Sequence, residues 1–177
     1  IKKEYFSKPK RGPVESFESA LRKANLALSR LAEHGNVNWI GKLNVLCAVM
    51  EKSKLHLAQV GTPTAFLLRS KMLTDVSEGI FEKSPEPNPL KTFDNLSSGK
   101  LEIEDKLILA TGGILEVFSF EEIKKSALRF TGSEFVQFLR TALVNQLEIS
   151  AVLVIDVGEK IDVPTETVPR NRARHTN

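Results

Sequence analysis

Leu57-Ala58-Gln59-Val60-Gly61-Thr62-Pro63-Thr64-Ala65-Phe66-Leu67-Leu68-Arg69 is two apolar stretches joined by a Gly-Thr-Pro break. The first continues an alternation that starts at Leu55-His56 and stops at Gly61, the period-two pattern of a strand. Proline has no N–H to give a ladder, so Thr62-Pro63 marks where one strand ends and the next begins. Before this segment lie Leu43 and the continuous apolar run Val45–Met50, closed by Glu51-Lys52-Ser53-Lys54. After it, Ser70-Lys71 reads as a turn and Met72–Val76 as a short strand. Connectors this short exclude parallel crossovers, so the expectation is four antiparallel strands in a meander. His56 is expected to face outward, and Met50 and Met72 to fill core gaps.

Helical patterns flank this block. Gly12-Pro13 suits a helix start, and Phe17, Leu21, Ala24, Leu28 and Leu31 form one apolar stripe, with Gly35 placed as a C-terminal cap. Residues 77–99, with Pro85, Pro87 and Pro89, read as a long loop that Phe93 anchors by inserting into the core. Lys106–Ala110 reads as a strand and Ser119-Phe120-Glu121-Glu122 as a capping box. A second helix is expected from Ser133, with Phe135, Phe138, Leu139, Ala142 and Leu143 buried. Ile149–Val157 is the last strand, apolar enough to predict cover on both faces.

The 177 residues are 41% hydrophobic and 27% charged, enough for a core without disulfides or a structural metal. Net charge is +3, distributed as +4 over residues 1–12, −2 over 13–157 and +1 over 158–177. A nucleic-acid binder concentrates positive charge on its folded face, so this distribution argues against one. The excess reads as solubilising or flexible ends. The organisation expected is a basic N-terminal segment over 1–12, one domain over 13–157, and a disordered tail or linker over 158–177. No apolar run approaches the ~20 residues of a membrane-spanning helix. Cys47 has no internal partner, which fits a reducing, cytoplasmic setting.

Catalytic signatures are sparse. His34, His56 and His175 have no histidine or cysteine at metal-ligand spacing. No nucleophile elbow, Walker loop or dinucleotide fingerprint is present. Thr111-Gly112-Gly113 after a strand reads as a tight turn; a backbone approach to phosphate is the alternative. Lys42, Asn44, Arg69, Lys91 and Asn95 are polar residues near strand ends or in the loop, candidates for lining a cleft or for ordinary surface polarity.

Several segments in order resemble one family. Residues 57–69 resemble the "ANVGDSRAYLLR" strand–turn–strand of metal-dependent type 2C serine/threonine phosphatases, and Gly41-Lys42-Leu43-Asn44 sits where that family has "GTTA". Residues 71–77 resemble "KLTQLTxDH", residues 105–116 "DxLLLASDGLWD", and residues 150–155 the end of "DNITVIVV". The resemblance implies an α+β fold, two stacked antiparallel β-sheets flanked by helix pairs (an α-β-β-α sandwich), with the N-terminal strands missing. Residue 1 is Ile, and the family's leading metal-binding hairpin and phosphate-binding arginine have no counterpart. A merely fortuitous likeness would show as a strand order that does not give two stacked sheets.

The departures fall on the chemistry. The metal-ligating aspartate of "SDG" is Gly112 here, that of "DN" falls at Leu147 or, shifted by one, Glu148, and that of "GDSR" is Thr62. Glu116 keeps a carboxylate where the family often has one. Thr62, Thr111, Gly112, Gly113, Glu116 and Glu148 are the candidates for a former cleft, with no catalytic or metal-ligating role assigned. The expectation is a degenerate phosphatase-like domain with no cofactor, binding a protein partner in regulation or scaffolding. The alternative is an active metal-dependent phosphatase using Mg or Mn, with its remaining ligands upstream of residue 1.

Overall fold

The computed structural model describes residues 1–82, 88–144, 146 and 150–158. Helix α1 (Lys2–Tyr5) and the long α2 (Pro13–Glu33) precede strands β1 (Val45–Glu51), β2 (Lys54–Val60), β3 (Thr64–Arg69) and β4 (Met72–Asp75). A single 3-10 turn, Pro89–Lys91, leads to β5 (Ser97–Lys100) and β6 (Lys106–Ala110). Then come α3 (Ile114–Val117), α4 (Phe120–Arg129), α5 (Gly132–Leu143) and β7 (Val152–Asp156).

All strand pairs are antiparallel and fall into two sheets, β1-β2-β5 and β4-β3-β6-β7. The expected meander is therefore corrected. β1–β2 and β3–β4 are separate hairpins in different sheets, and Gly61-Thr62-Pro63 carries the chain from one sheet to the other. Ser70 (φ 47°) and Lys71 (φ 67°) close the β3–β4 hairpin with both central residues at positive φ, the twist that suits a two-residue turn.

Three apolar layers hold the sheets. Phe17 and Leu21 of α2 pack with Ala58, Val60 and Phe93 on the outer face of the first sheet. Leu55 and Leu57 meet Ala65 and Leu107 between the sheets. Phe66 and Ile108 meet Ile123, Phe135 and Leu139 beneath α4 and α5. Burying one such phenylalanine or leucine stabilises by about 1.5–3 kcal/mol.

The helix signals are realised as cap geometry. Pro13 is the first residue of α2. At its end Gly35 (φ +81°) lets Gly35 N donate to Ala32 O (2.9 Å) and Asn36 N to Leu31 O (3.0 Å), a Schellman pair. Ser119 caps α4: Glu122 N donates to Ser119 Oγ, and Ser119 N donates to the Glu122 carboxylate at 2.8 Å. Ser119 Oγ also donates to that carboxylate (2.7 Å), and this bond, with the one from Ser119 N, holds the Glu122 carboxyl below its ordinary range.

Other expectations change. Residues 97–99, read as the end of the loop, form β5 with Lys100 along β2, a pairing that long-range contact decides because Ser-Ser-Gly-Lys has little strand propensity of its own. Phe93 does insert into the core, and Asn25 of α2 fixes it by bonding both Phe93 N and Phe93 O (2.9 and 3.0 Å). His56 is buried, not outward: its Nδ1 pairs with Ser98 Oγ of β5 at 2.7 Å. Met50, Met72 and Leu31 are exposed rather than in the core. β7 starts at Val152, and Leu153 is 55% exposed, so its two faces are not both covered. α3 was not foreseen. The basic first segment is not loose, since Glu4 of α1 pairs with Lys23 of α2 at 2.9 Å. Pro85, Pro87, Ile149 and the tail from residue 159 lie outside the described residues.

At the far end of β3, Arg69 clasps Asp105, which is 1% exposed. Arg69 Nε and one terminal nitrogen donate to the two carboxylate oxygens (2.9 and 2.6 Å), and Glu102 N donates to the same carboxylate (2.7 Å). The hydrogen bond from Arg69 holds the Asp105 carboxyl below its usual range, against the opposing effect of burial. Arg69→Met should lower stability, because it leaves the Asp105 carboxylate without its cation. A carboxylate whose pKa is lowered by folding gives its full stabilisation above its unfolded value of about 3.9 and loses it as pH falls through the native value. In urea melts from pH 7 downward, the gap between wild type and Arg69→Met should therefore narrow as the Asp105 carboxyl protonates, first in the variant and at lower pH in the wild type.

Candidate functional site

The β2-to-β3 passage and the end of β6 meet at one edge of the sandwich. Thr64 opposes Ala110 in the β3–β6 ladder, so Thr62 and Gly112 emerge side by side just beyond it. Contact is close: a Cβ added to Gly112 would overlap Thr62 Oγ1 and lie 3.1 Å from Thr62 Cβ.

Two amide side chains hold the passage. Asn44 Oδ1 accepts from Thr62 N (3.0 Å) and Thr62 Oγ1 (3.2 Å). Gln59 Nε2 donates to Gly61 O (3.1 Å) and Pro63 O (2.7 Å). The passage lies outside both ladders, and of these bonds the one from Gln59 to the buried Pro63 carbonyl replaces a partner that water could not supply. Gly61 has φ +77°, and any side chain there would run into Asn44 and the Leu43 carbonyl.

Thr111 extends the β6–β7 pairing by one step: its N donates to Ala151 O (3.0 Å) and its Oγ1 accepts from Ala151 N (2.9 Å). Gly113 (φ +93°) starts α3 from the left-handed region, and Ile114 behind it is buried. Glu116 is exposed on α3.

The structure thus brings Thr62, Thr111, Gly112 and Gly113 to one edge. Leu147 and Glu148 lie outside the described residues. Of the polar residues flagged near strand ends, Asn44 belongs to this edge. Arg69 does not, being spent on Asp105 at the opposite end of β3. Gln59 was missed, although a glutamine inside an apolar alternation next to Gly-Thr-Pro is a readable sign of a side chain serving the backbone.

The side chains of Asn44, Gln59, Thr62 and Thr111 described at this edge are uncharged. Their oxygens are amide and hydroxyl oxygens, and Asn44 Oδ1 already accepts two hydrogen bonds. Hard divalent cations take clustered oxygen ligands, carboxylates foremost. Among the described residues no three His, Cys, Asp or Glu side chains come together. The described donor set does not fit a magnesium or manganese ion. Among the same residues, no helix is long and apolar enough to cross a membrane.

No family profile and no curated protein matches the chain. Solved structures do. The catalytic domain of the serine/threonine phosphatase PstP, in complex with two manganese ions, superposes with a TM-score of 0.63 at 17% identity, covering 86% of this chain and 74% of that one. The Mycobacterium tuberculosis PstP/Ppp structure gives 0.61 at 15%, covering 85% and 75%. The phosphatase domain of SpoIIE from Bacillus subtilis gives 0.55 at 12%, covering 88% and 77%. The chain has the fold of type 2C serine/threonine phosphatase domains, and its two stacked sheets exclude a fortuitous likeness on another architecture.

Asn44→Ala removes the acceptor of both Thr62 hydrogen bonds. It should cost about 1 kcal/mol, read as a lowered urea midpoint with an unchanged slope.

Proposed function

We propose that this chain is a degenerate type 2C phosphatase-like domain, a regulatory or scaffolding module that binds a protein rather than hydrolysing a phosphoester. One observation carries the reading. Where the resemblance calls for metal-binding aspartates, Gly112 has no side chain and Thr62 fills the adjoining space. Two-metal hydrolysis needs carboxylates to hold both ions and to activate water. Losing a group that merely orients a ligand costs roughly 10–100-fold in affinity or activity, and losing a ligand should cost at least as much. A cytoplasmic setting accompanies this reading. Cys47 is a free thiol, and its burial pushes its pKa up, away from the reactive thiolate.

The competing reading is an active metal-dependent phosphatase. It is favoured by the two manganese ions bound to the PstP catalytic domain. It requires ligands other than Thr62 and Gly112.

The two readings separate in one experiment. The protein is titrated with manganese and with magnesium in a calorimeter, then assayed for phosphate release from phosphoserine and phosphothreonine peptides. The expected result is no saturable binding and no metal-dependent release. Turnover that a chelator abolishes would establish the phosphatase instead.

A further inference from the structure

We infer that Thr62 and Gly112 form a sterically coupled pair: the threonine takes the space of any side chain at 112, and it is this, not backbone torsion, that keeps residue 112 a glycine. Gly112 is absent from the glycines with positive φ, unlike Gly61 and Gly113 on either side of the contact. The obstacle is one residue. Of the three nearest atoms to a Cβ at 112, all belong to Thr62: Oγ1, Cβ at 3.1 Å and the carbonyl oxygen at 3.5 Å.

Thr62 does not yield freely. Turning χ1 would take Oγ1 off Gly112 but also off Asn44 Oδ1, its hydrogen-bond partner. Turning χ1 also leaves Cβ where it is, at a separation tighter than ordinary van der Waals contact. The backbone at Thr62 is pinned as well, by its own N–H to Asn44 and by Gln59 on the carbonyls at either side. A side chain at 112 therefore requires Thr62 to move, at the expense of its hydrogen bond to Asn44. The inference concerns the pair alone and does not require that the chain bind a partner.

A double-mutant cycle tests it, using thermal unfolding of the full chain with Gly112→Ala, Thr62→Gly and both together. In the wild-type background Gly112→Ala should lower Tm by about 3–10 °C, the range expected for overpacking in a domain of this size. In the Thr62→Gly background the same change should leave Tm unchanged or raise it. Alanine at a permissive torsion restricts the unfolded chain more than glycine does. Failure of Gly112→Ala to fold while the double variant folds would support the inference equally. An equal loss in both backgrounds, or no loss in the first, would overturn it.

Calorimetry adds a second readout. Gly112→Asp alone should show no manganese binding, and saturable one-to-one binding by that single variant would also overturn the inference. The stability cycle involves neither metal nor phosphate turnover, so its failure is distinguishable from failure of the binding-module reading.

Discussion

The chain changes sheets in three residues, and the structure depends on how Gly61-Thr62-Pro63 accomplishes this. A passage outside both ladders leaves its backbone groups to side chains and water, and only the Pro63 carbonyl here is bonded in a buried setting. Gln59, the penultimate residue of β2, reaches forward to two carbonyls, and Asn44, just ahead of β1, takes the Thr62 N–H. Proline removes one donor outright, and glycine supplies the positive φ at the corner. Because the corner is tight, β3 begins at Thr64 in register with Ala110, and Thr62 is pressed against Gly112.

The four-stranded sheet is consequently polarised along its strands. At one end Arg69, Glu102 and Asp105 form a charged clasp. Nearby, Lys106 reaches the carbonyls of Ala127 and Phe130 at the end of α4 (3.1 and 3.0 Å) and lies 3.5 Å from Asp156. At the other end Asn44, Gln59, Thr62, Thr111 and Gly112 are all uncharged. The charged end is structural: its ions are paired with each other and with backbone carbonyls, which is how charges tolerate burial. At the neutral end the described side-chain oxygens of Asn44, Thr62 and Thr111 are engaged in hydrogen bonds within the protein.

Much of this was legible in advance because it follows from local rules. Period-two alternation located β2, an apolar run between Thr62-Pro63 and Ser70-Lys71 located β3, the 3.6-residue stripe located α2, and Ser119 with Glu122 located the start of α4. What escaped was decided by distant chain. Nothing in Ser97-Ser98-Gly99-Lys100 announces a strand; β2 recruits it, and Ser98 thereby covers His56. Alternation says that His56 and Leu57 face opposite ways but not that α2 and β5 close over the outer face. The meander reading failed for a similar reason, since a Gly-Thr-Pro break ends a strand without saying which sheet receives the next one. At the candidate site the neutral character was readable from Thr62 and Gly112, whereas their contact, and the service of Gln59 and Asn44, required the folded chain.

Substituting neutral residues at such an edge has a physical logic. Carboxylates gathered for metal repel one another, raise one another's pKa and destabilise the domain whenever the ion is absent. An edge of threonine, asparagine and glycine carries no such dependence. The charged Arg69–Asp105 clasp lies a full strand length from Thr62, at the other end of β3. Charge at the Thr62–Gly112 edge and the apolar layers of the sandwich are therefore separable: the layers are built from Phe17, Leu57, Phe66, Leu107, Ile108 and Phe135, none of which is a residue of that edge.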